Sequence, residues 1–123
     1  MKDDRLYLVH VLECIDRIER YTAEGKMAFM ADERTQDAVL RNLQVLSEST
    51  QRLSADLKSA HPEVDWRGIS GFRNVLVHDY LGINLIRVWE IVEGEFRIWT
   101  ILKMLYLYIL AVYIRVAYSG CDI

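Results

Sequence analysis

The chain has 123 residues, enough for one hydrophobic core and too few for two. Hydrophobic residues make up 52% and charged residues 27%, with one proline and six glycines, which excludes a disordered tail and leaves few turn signals for a many-stranded sandwich or barrel. A formal net charge of −3 excludes a generally basic nucleic-acid-coating protein, though not a local basic site.

The first helix is predicted to begin near Asp3 or Asp4, whose carboxylates can cap its exposed N–H groups. Leu8, Val11, Leu12, Ile15 and Ile18 follow the three-and-four spacing of one buried face. Gly25 loosens the pattern, and Met27–Met30 reads as a short apolar connector. A second, long helix is expected from about Asp32 to His61-Pro62, where proline disfavours helical geometry in the residue before it. Its stripe is Val39, Leu43, Leu46, Leu53 and Leu57, broken by Thr50, with Arg41, Gln44, Glu48, Gln51, Arg52 and Lys58 off it.

A third helix is expected from about Trp66 to Asp79, with Ile69, Phe72 and Leu76 inward. Gly82 and Asn84 make a turn and an N-cap. A fourth helix then starts near Leu85, with Ile86, Trp89 and Val92 on one side. Four helices, or five with the tail, and short connections define an all-α antiparallel bundle. Cys14 and Cys121 are far apart and form neither a disulfide framework nor a zinc knuckle. The N-terminus runs directly into a charged helical pattern, so a cytoplasmic location is the expectation.

Three histidines are candidates for chemistry. His10 is expected to be a partly buried helical residue, and His61 to serve in ending the second helix. His78 stands in the string Arg73-Asn74-Val75-Leu76-Val77-His78-Asp79-Tyr80. At about 100° per residue, Asn74 and His78 share a helical face and Arg73 flanks them. Tyr80 returns to the side of Arg73. A cation, an amide, an imidazole and a phenol in one place suit an anionic ligand, because arginine presents a planar fork of donors to phosphate and histidine moves protons near neutral pH. The same spacing also fits a solvated helix end in which Arg73 pairs with Asp79 and His78 caps the last carbonyls. Asp37 and Glu48 could orient Arg73 or His78, and Arg41, Arg52, Arg67 and Arg87 could line an RNA path. For each of these an ordinary surface role is the alternative. Trp66 and Trp89 read as core or interface residues. No metal site, cofactor or glycine-rich phosphate loop is expected.

The string Arg-Asn-x-x-x-His-x-Tyr, here Arg73, Asn74, His78 and Tyr80, resembles the signature of the HepT family of HEPN-domain proteins. The surrounding text agrees: Arg34-Thr35-Gln36-Asp37-Ala38, Arg41-Asn42-Leu43, Glu48, Leu53-Ser54, Pro62-Glu63, Trp66-Arg67, Ile69-Ser70-Gly71 and Val88-Trp89-Glu90-Ile91. The likeness covers about residues 3 to 95. It implies a HEPN-type helical bundle that forms a homodimer and joins two motifs across a two-fold axis. It further implies the toxin of a type VII toxin–antitoxin module, a metal-independent ribonuclease acting on RNA such as tRNA or mRNA, with Arg73, Asn74 and His78 as catalytic residues. The implied partner is an MntA-type nucleotidyltransferase antitoxin that transfers AMP to Tyr80. A non-catalytic accessory subunit that binds nucleotide or RNA for such a transferase is the competing reading.

From Phe96 the pattern changes. Residues 1–95 carry 12 Lys+Arg against 17 Asp+Glu, whereas residues 96–123 carry 3 against 1 and are apolar on every side of a helix. The uncharged run Met104–Ile114 would reach roughly 16 Å as a helix, short of the ~30 Å hydrocarbon core of a bilayer. Burial against a partner subunit, not a membrane, is the expectation. Residues 1–95 are thus read as the HepT-like domain and 96–123 as an atypical hydrophobic extension of the last helix. Members of the resembled family continue this helix with a charged amphipathic stretch, so the tail reads as altered coding sequence, for instance from a shifted frame. On that reading, truncation after about Glu95 alters solubility or assembly more than the chemistry at His78.

Overall fold

A computed structural model describes residues 4–77, 84–94 and 96–121, apart from the side chains of 73–77, 96–99, 113, 120 and 121. The described residues form seven helices and no strand: α1 (Asp4–Tyr21), α2 (Lys26–Ala31), α3 (Glu33–Gln51), α4 (Ala55–Ala60), α5 (Trp66–Val77), α6 (Leu85–Gly94) and α7 (Phe96–Cys121). The four longest, α1, α3, α5 and α7, form the frame: α1 packs on α3 and α7, and α3 on α5.

Three cross-links fix the relative directions. The Asp4 carboxylate, at the start of α1, accepts hydrogen bonds from Ser54 N (2.9 Å) and Ser54 Oγ (2.7 Å), just beyond the end of α3. Ser47 Oγ, late in α3, donates over a long 3.5 Å to the Ser70 carbonyl, early in α5. Lys103 Nζ, near the start of α7, donates to both carboxylate oxygens of Glu19, near the end of α1, at 2.8 Å. Each pair joins the end of one helix to the beginning of its neighbour, so the bundle is antiparallel, as the short connections predicted.

Leu8, Val11, Ile15 and Ile18 of α1 are buried as expected, and Cys14 joins them. Burial pushes the Cys14 thiol up to about 11, which keeps it protonated and unreactive at neutral pH. Val39, Leu43 and Leu46 of α3, Ile69 and Phe72 of α5, and Val88, Trp89, Ile91 and Val92 of α6 complete the central core.

Three expectations about the elements are corrected. The Met27–Met30 stretch is not a connector but most of α2. Gly25 turns the chain at φ +96°, a conformation that favours glycine. The Gln36 amide donates to the Phe29 and Met30 carbonyls (2.9 and 3.1 Å), and Phe29 is buried with its ring centroid 5.4 Å from that of Trp89. The long second helix is two helices. Asp32 caps α3 by accepting from Arg34 N and Thr35 Oγ1, and these bonds, the Thr35 hydroxyl first, hold its carboxyl below the usual carboxylate range. At the other end, Arg52 closes α3 and Ser54 Oγ caps α4 by accepting from Leu57 N (3.1 Å). Leu53 stays on the buried stripe because it is tucked into the turn between them. Finally, Ile86 is 52% exposed, and Val88 takes the inward position expected of it.

The core continues past the change of composition at residue 95. Leu102 and Leu105 of α7 are buried, and Ile101 packs against the central cluster. Farther along, Ala111, Val112 and residues 114–119 are exposed. The segment Thr100–Ser119 is long and apolar enough to cross a membrane by length and composition, and only 12% of it is buried in the bundle.

Candidate functional site

The motif begins on α5, and that helix is held firmly at its start. The Asp65 carboxylate accepts from Gly68 N at 3.0 Å, which satisfies one of the free donors of the first turn. A side chain at Gly68 would meet this carboxylate, since a Cβ there would fall within van der Waals distance of the Asp65 oxygens. The Trp66 indole donates to the Lys58 and His61 carbonyls (3.1 and 3.0 Å), tying α5 to the end of α4. Trp66 is therefore a half-buried structural residue, in line with the sequence reading. Ile69, one turn ahead of Arg73, and Phe72, immediately before it, seat the helix in the core.

Arg73 and Asn74 lie in the second half of α5. Their side chains, and the whole of His78 and Tyr80, lie outside the described residues. The chain is described again at Asn84, which caps α6 as predicted: its Oδ1 accepts from Arg87 N at 3.2 Å and its carbonyl accepts from Val88 N. Trp89 ties α6 to α2 through its ring contact with Phe29, and its indole donates to Glu93 one turn along α6 at 2.6 Å. The motif segment is thus bracketed by two helices that are each capped and buried on one side.

Other candidates separate clearly. Asp37 is exposed and lines a cleft of about 360 Å³ with Met30, Glu33, Gln36, Leu40 and Leu85, the last being the first residue of α6. Glu48 is half-buried and accepts from the Gln44 amide at 3.3 Å. Arg41, Arg52, Arg67 and Arg87 are exposed, and Arg87 pairs with Glu90 at 3.1 Å. His10 is exposed, against the expectation of partial burial. His61 does end α4, as expected. Its ring shares a 3.1 Å hydrogen bond with Glu63 and meets the Tyr108 ring edge-on at 6.5 Å. That contact with α7 had no signal in the spacing of either residue. No group of three or more His, Cys, Asp or Glu placed to hold a metal occurs among the described residues.

An antiparallel all-α bundle is the architecture of a HEPN-type domain. Comparison with known proteins makes the assignment specific. The chain belongs to the ribonuclease HepT-like family, whose profile matches residues 11–101 and so includes the whole motif segment. It is 37% identical over 95 residues to the Methanocaldococcus jannaschii protein MJ0127, which is named as a candidate RNase, covering 76% of this chain and 78% of that one. It is 35% identical over 90 residues to a Thermococcus cleftensis protein named as a probable ribonuclease HepT, covering 72% and 82%. Similarity to a candidate RNase of Caldanaerobacter subterraneus is 34% over 96 residues, covering 77% and 86%. No solved structure matches the chain.

Proposed function

We propose that the protein is a metal-independent endoribonuclease, the toxin of a type VII toxin–antitoxin module, whose active site is assembled from two motifs in a homodimer. The observation that carries this reading is the family match across residues 11–101 together with the intact Arg73, Asn74 and His78 inside it. The chemistry needs those groups. The ribose 2′-oxygen attacks the adjacent phosphorus, the bond to the 5′-oxygen breaks, and the products are a 2′,3′-cyclic phosphate and a 5′-hydroxyl. One imidazole takes the proton from the 2′-hydroxyl and another gives one to the leaving 5′-oxygen. A single His78 cannot do both in one step, so the partner's His78 supplies the second. Arg73 holds the non-bridging oxygens as charge develops on them, and Asn74 orients the phosphate or the imidazole.

The test follows from the nucleophile. Purified protein in excess chelator should cut a single-stranded RNA and leave the same strand as DNA intact, with cyclic phosphate at the new 3′ ends. Cleavage of the DNA, or loss of RNA cleavage on chelation that added divalent metal restores, would overturn the mechanism.

Control of the toxin is assigned to Tyr80. AMP transferred there by an MntA-type nucleotidyltransferase adds bulk and negative charge next to Arg73 and His78, occupying the phosphate site and repelling the RNA backbone. In a reaction with that transferase and ATP, the Tyr80 oxygen bonds the α-phosphorus, the bond to the β-phosphate breaks and pyrophosphate leaves, so wild-type protein should gain the mass of AMP and lose cleavage. Tyr80→Phe should gain no mass and remain active. A Tyr80→Phe chain that is still modified and silenced places the acceptor elsewhere.

A further inference from the structure

Ile69 and Phe72 turn one side of α5 into the core. At about 100° per residue, positions 67, 71 and 74 fall within about 60° of one another on the opposite side. This is the face on which the sequence spacing sets Asn74 and His78 of the motif. The helix carries two arginines and no carboxylate, in a chain whose formal net charge is −3. Arg17, Arg20 and Arg87 each pair with a carboxylate three or four residues away on their own helices. Arg67 has Ser70 and Gly71 at the forward positions, and Glu63 behind it is bonded to His61. Arg67 is left exposed. Gly71 has no packing role among the described residues. A Cβ there would meet no atom within 4 Å, although glycine inside a helix is less favourable than alanine. The outward face of α5 thus has a cation at Arg67, a trough at Gly71 and the motif beyond it.

We propose that this face is the track of the RNA strand flanking the scissile phosphate, with Arg67 holding a neighbouring phosphate and the strand passing over Gly71 toward the motif. The proposal rests on the ribonuclease reading for its ligand and adds the path by which substrate leaves the site. Arg67 lies about 10 Å along the helix from position 74, far enough to hold a different phosphate from the one that reacts. Its planar fork of donors matches phosphate oxygens, and the missing side chain at Gly71 lets a nucleic-acid backbone approach the helix closely. A second copy of α5 is the poorer occupant. Crossing antiparallel at Gly71, it would set the two α5 ends at Val77 about 18 Å apart, too far for two motifs to share one phosphate. Crossing parallel, it would bring Arg67 against Arg67.

The test is binding of a 2′-O-methyl RNA of about 12 nucleotides, which lacks the nucleophile and cannot be cut, followed by fluorescence anisotropy across a salt series. At about 50 mM salt Arg67→Ala should bind roughly 5- to 10-fold more weakly than wild type, and its salt slope should be shallower by about 0.7, the share of one phosphate contact on a single strand. Arg41→Ala, which removes an equally exposed arginine from α3, should change neither. Gly71→Leu should keep or raise the melting temperature, since leucine suits a helix interior better than glycine, and should still weaken binding. A wild-type chain that binds with these variant effects but cleaves no RNA sinks the catalytic reading and leaves the track standing. Absence of wild-type binding, an unchanged slope in Arg67→Ala, an equal loss in Arg41→Ala, or normal RNA binding by Gly71→Leu overturns the track. A Gly71→Leu chain that binds RNA normally but shifts in sedimentation equilibrium assigns the face to a second copy instead.

Discussion

Replacing His78 by alanine should slow chelator-resistant RNA cleavage by about 10²- to 10⁴-fold, the range supplied by a positioned acid or base. On the proposed mechanism the loss should appear in kcat with little change in KM, because Arg73 and Asn74 would still hold the phosphate. A composite site makes a sharper demand. If each cleavage uses the imidazoles of both protomers, an equal mixture of wild-type and His78→Ala chains, allowed to exchange, should show about a quarter of the rate of wild type at the same total chain concentration, since only dimers with two histidines work. Two independent sites would retain about a half. Wild-type rate should also fall on both sides of a pH maximum, because one imidazole must be neutral and the other protonated at the same moment. A linear mixing curve with a single pH limb would show one histidine acting alone. Equal background cleavage by wild-type and His78→Ala protein would point instead to the accessory-subunit reading.

Much of the fold was legible because long amphipathic stripes dominate it. The positions Leu8 to Ile18 and Val39 to Leu46 could be read directly, since a three-and-four repeat has one cheap solution in water. What escaped were the short elements, whose existence rests on single hydrogen bonds from elsewhere. The repeat from Leu46 through Leu57 stays in phase across the break at Ser54, so periodicity alone could not reveal that Asp4 and Leu57 both bond Ser54 there. In the same way, α2 is fixed by Gln36 reaching back six and seven residues. Cys14 sits on the same buried face of α1, but a cysteine's residue type signals redox or metal chemistry before it signals packing. At the site the balance is reversed. Arg73, Asn74, His78 and Tyr80 were legible as a motif, because reaction chemistry restricts residue types more tightly than packing does. The bonds that support α5, from Gly68 to Asp65 and from Trp66 to the α4 carbonyls, were not, since they use backbone amides and carbonyls that any sequence offers.

A chain ending at Glu95 should fail to give a cooperative thermal transition, whereas a chain ending at Leu110 should melt within about 5 °C of the full-length protein. The reason lies in how α7 is divided. Leu102 and Leu105 are 1% and 5% exposed, and emptying a buried leucine site costs about 2–5 kcal/mol. Losing both, with Ile101 and the Lys103–Glu19 pair, removes an amount comparable to the roughly 5–15 kcal/mol that holds a domain of this size together. It also leaves the face of α1 that packs on α7 open to water. The compositional boundary at residue 95 is therefore not where the fold ends, and the expected point of tolerance moves beyond Leu105. Ala111, Val112 and residues 114–119, by contrast, are exposed, so removing this end of α7 takes away apolar surface without opening the core. The shorter cut should thus preserve the melting transition and lower the helical signal only by the residues removed. A chain ending at Glu95 that still unfolds cooperatively near the full-length temperature would show that α7 is dispensable to the core. Loss of the transition in the chain ending at Leu110 would show that the exposed half of α7 is buried in the native assembly and stabilises it there.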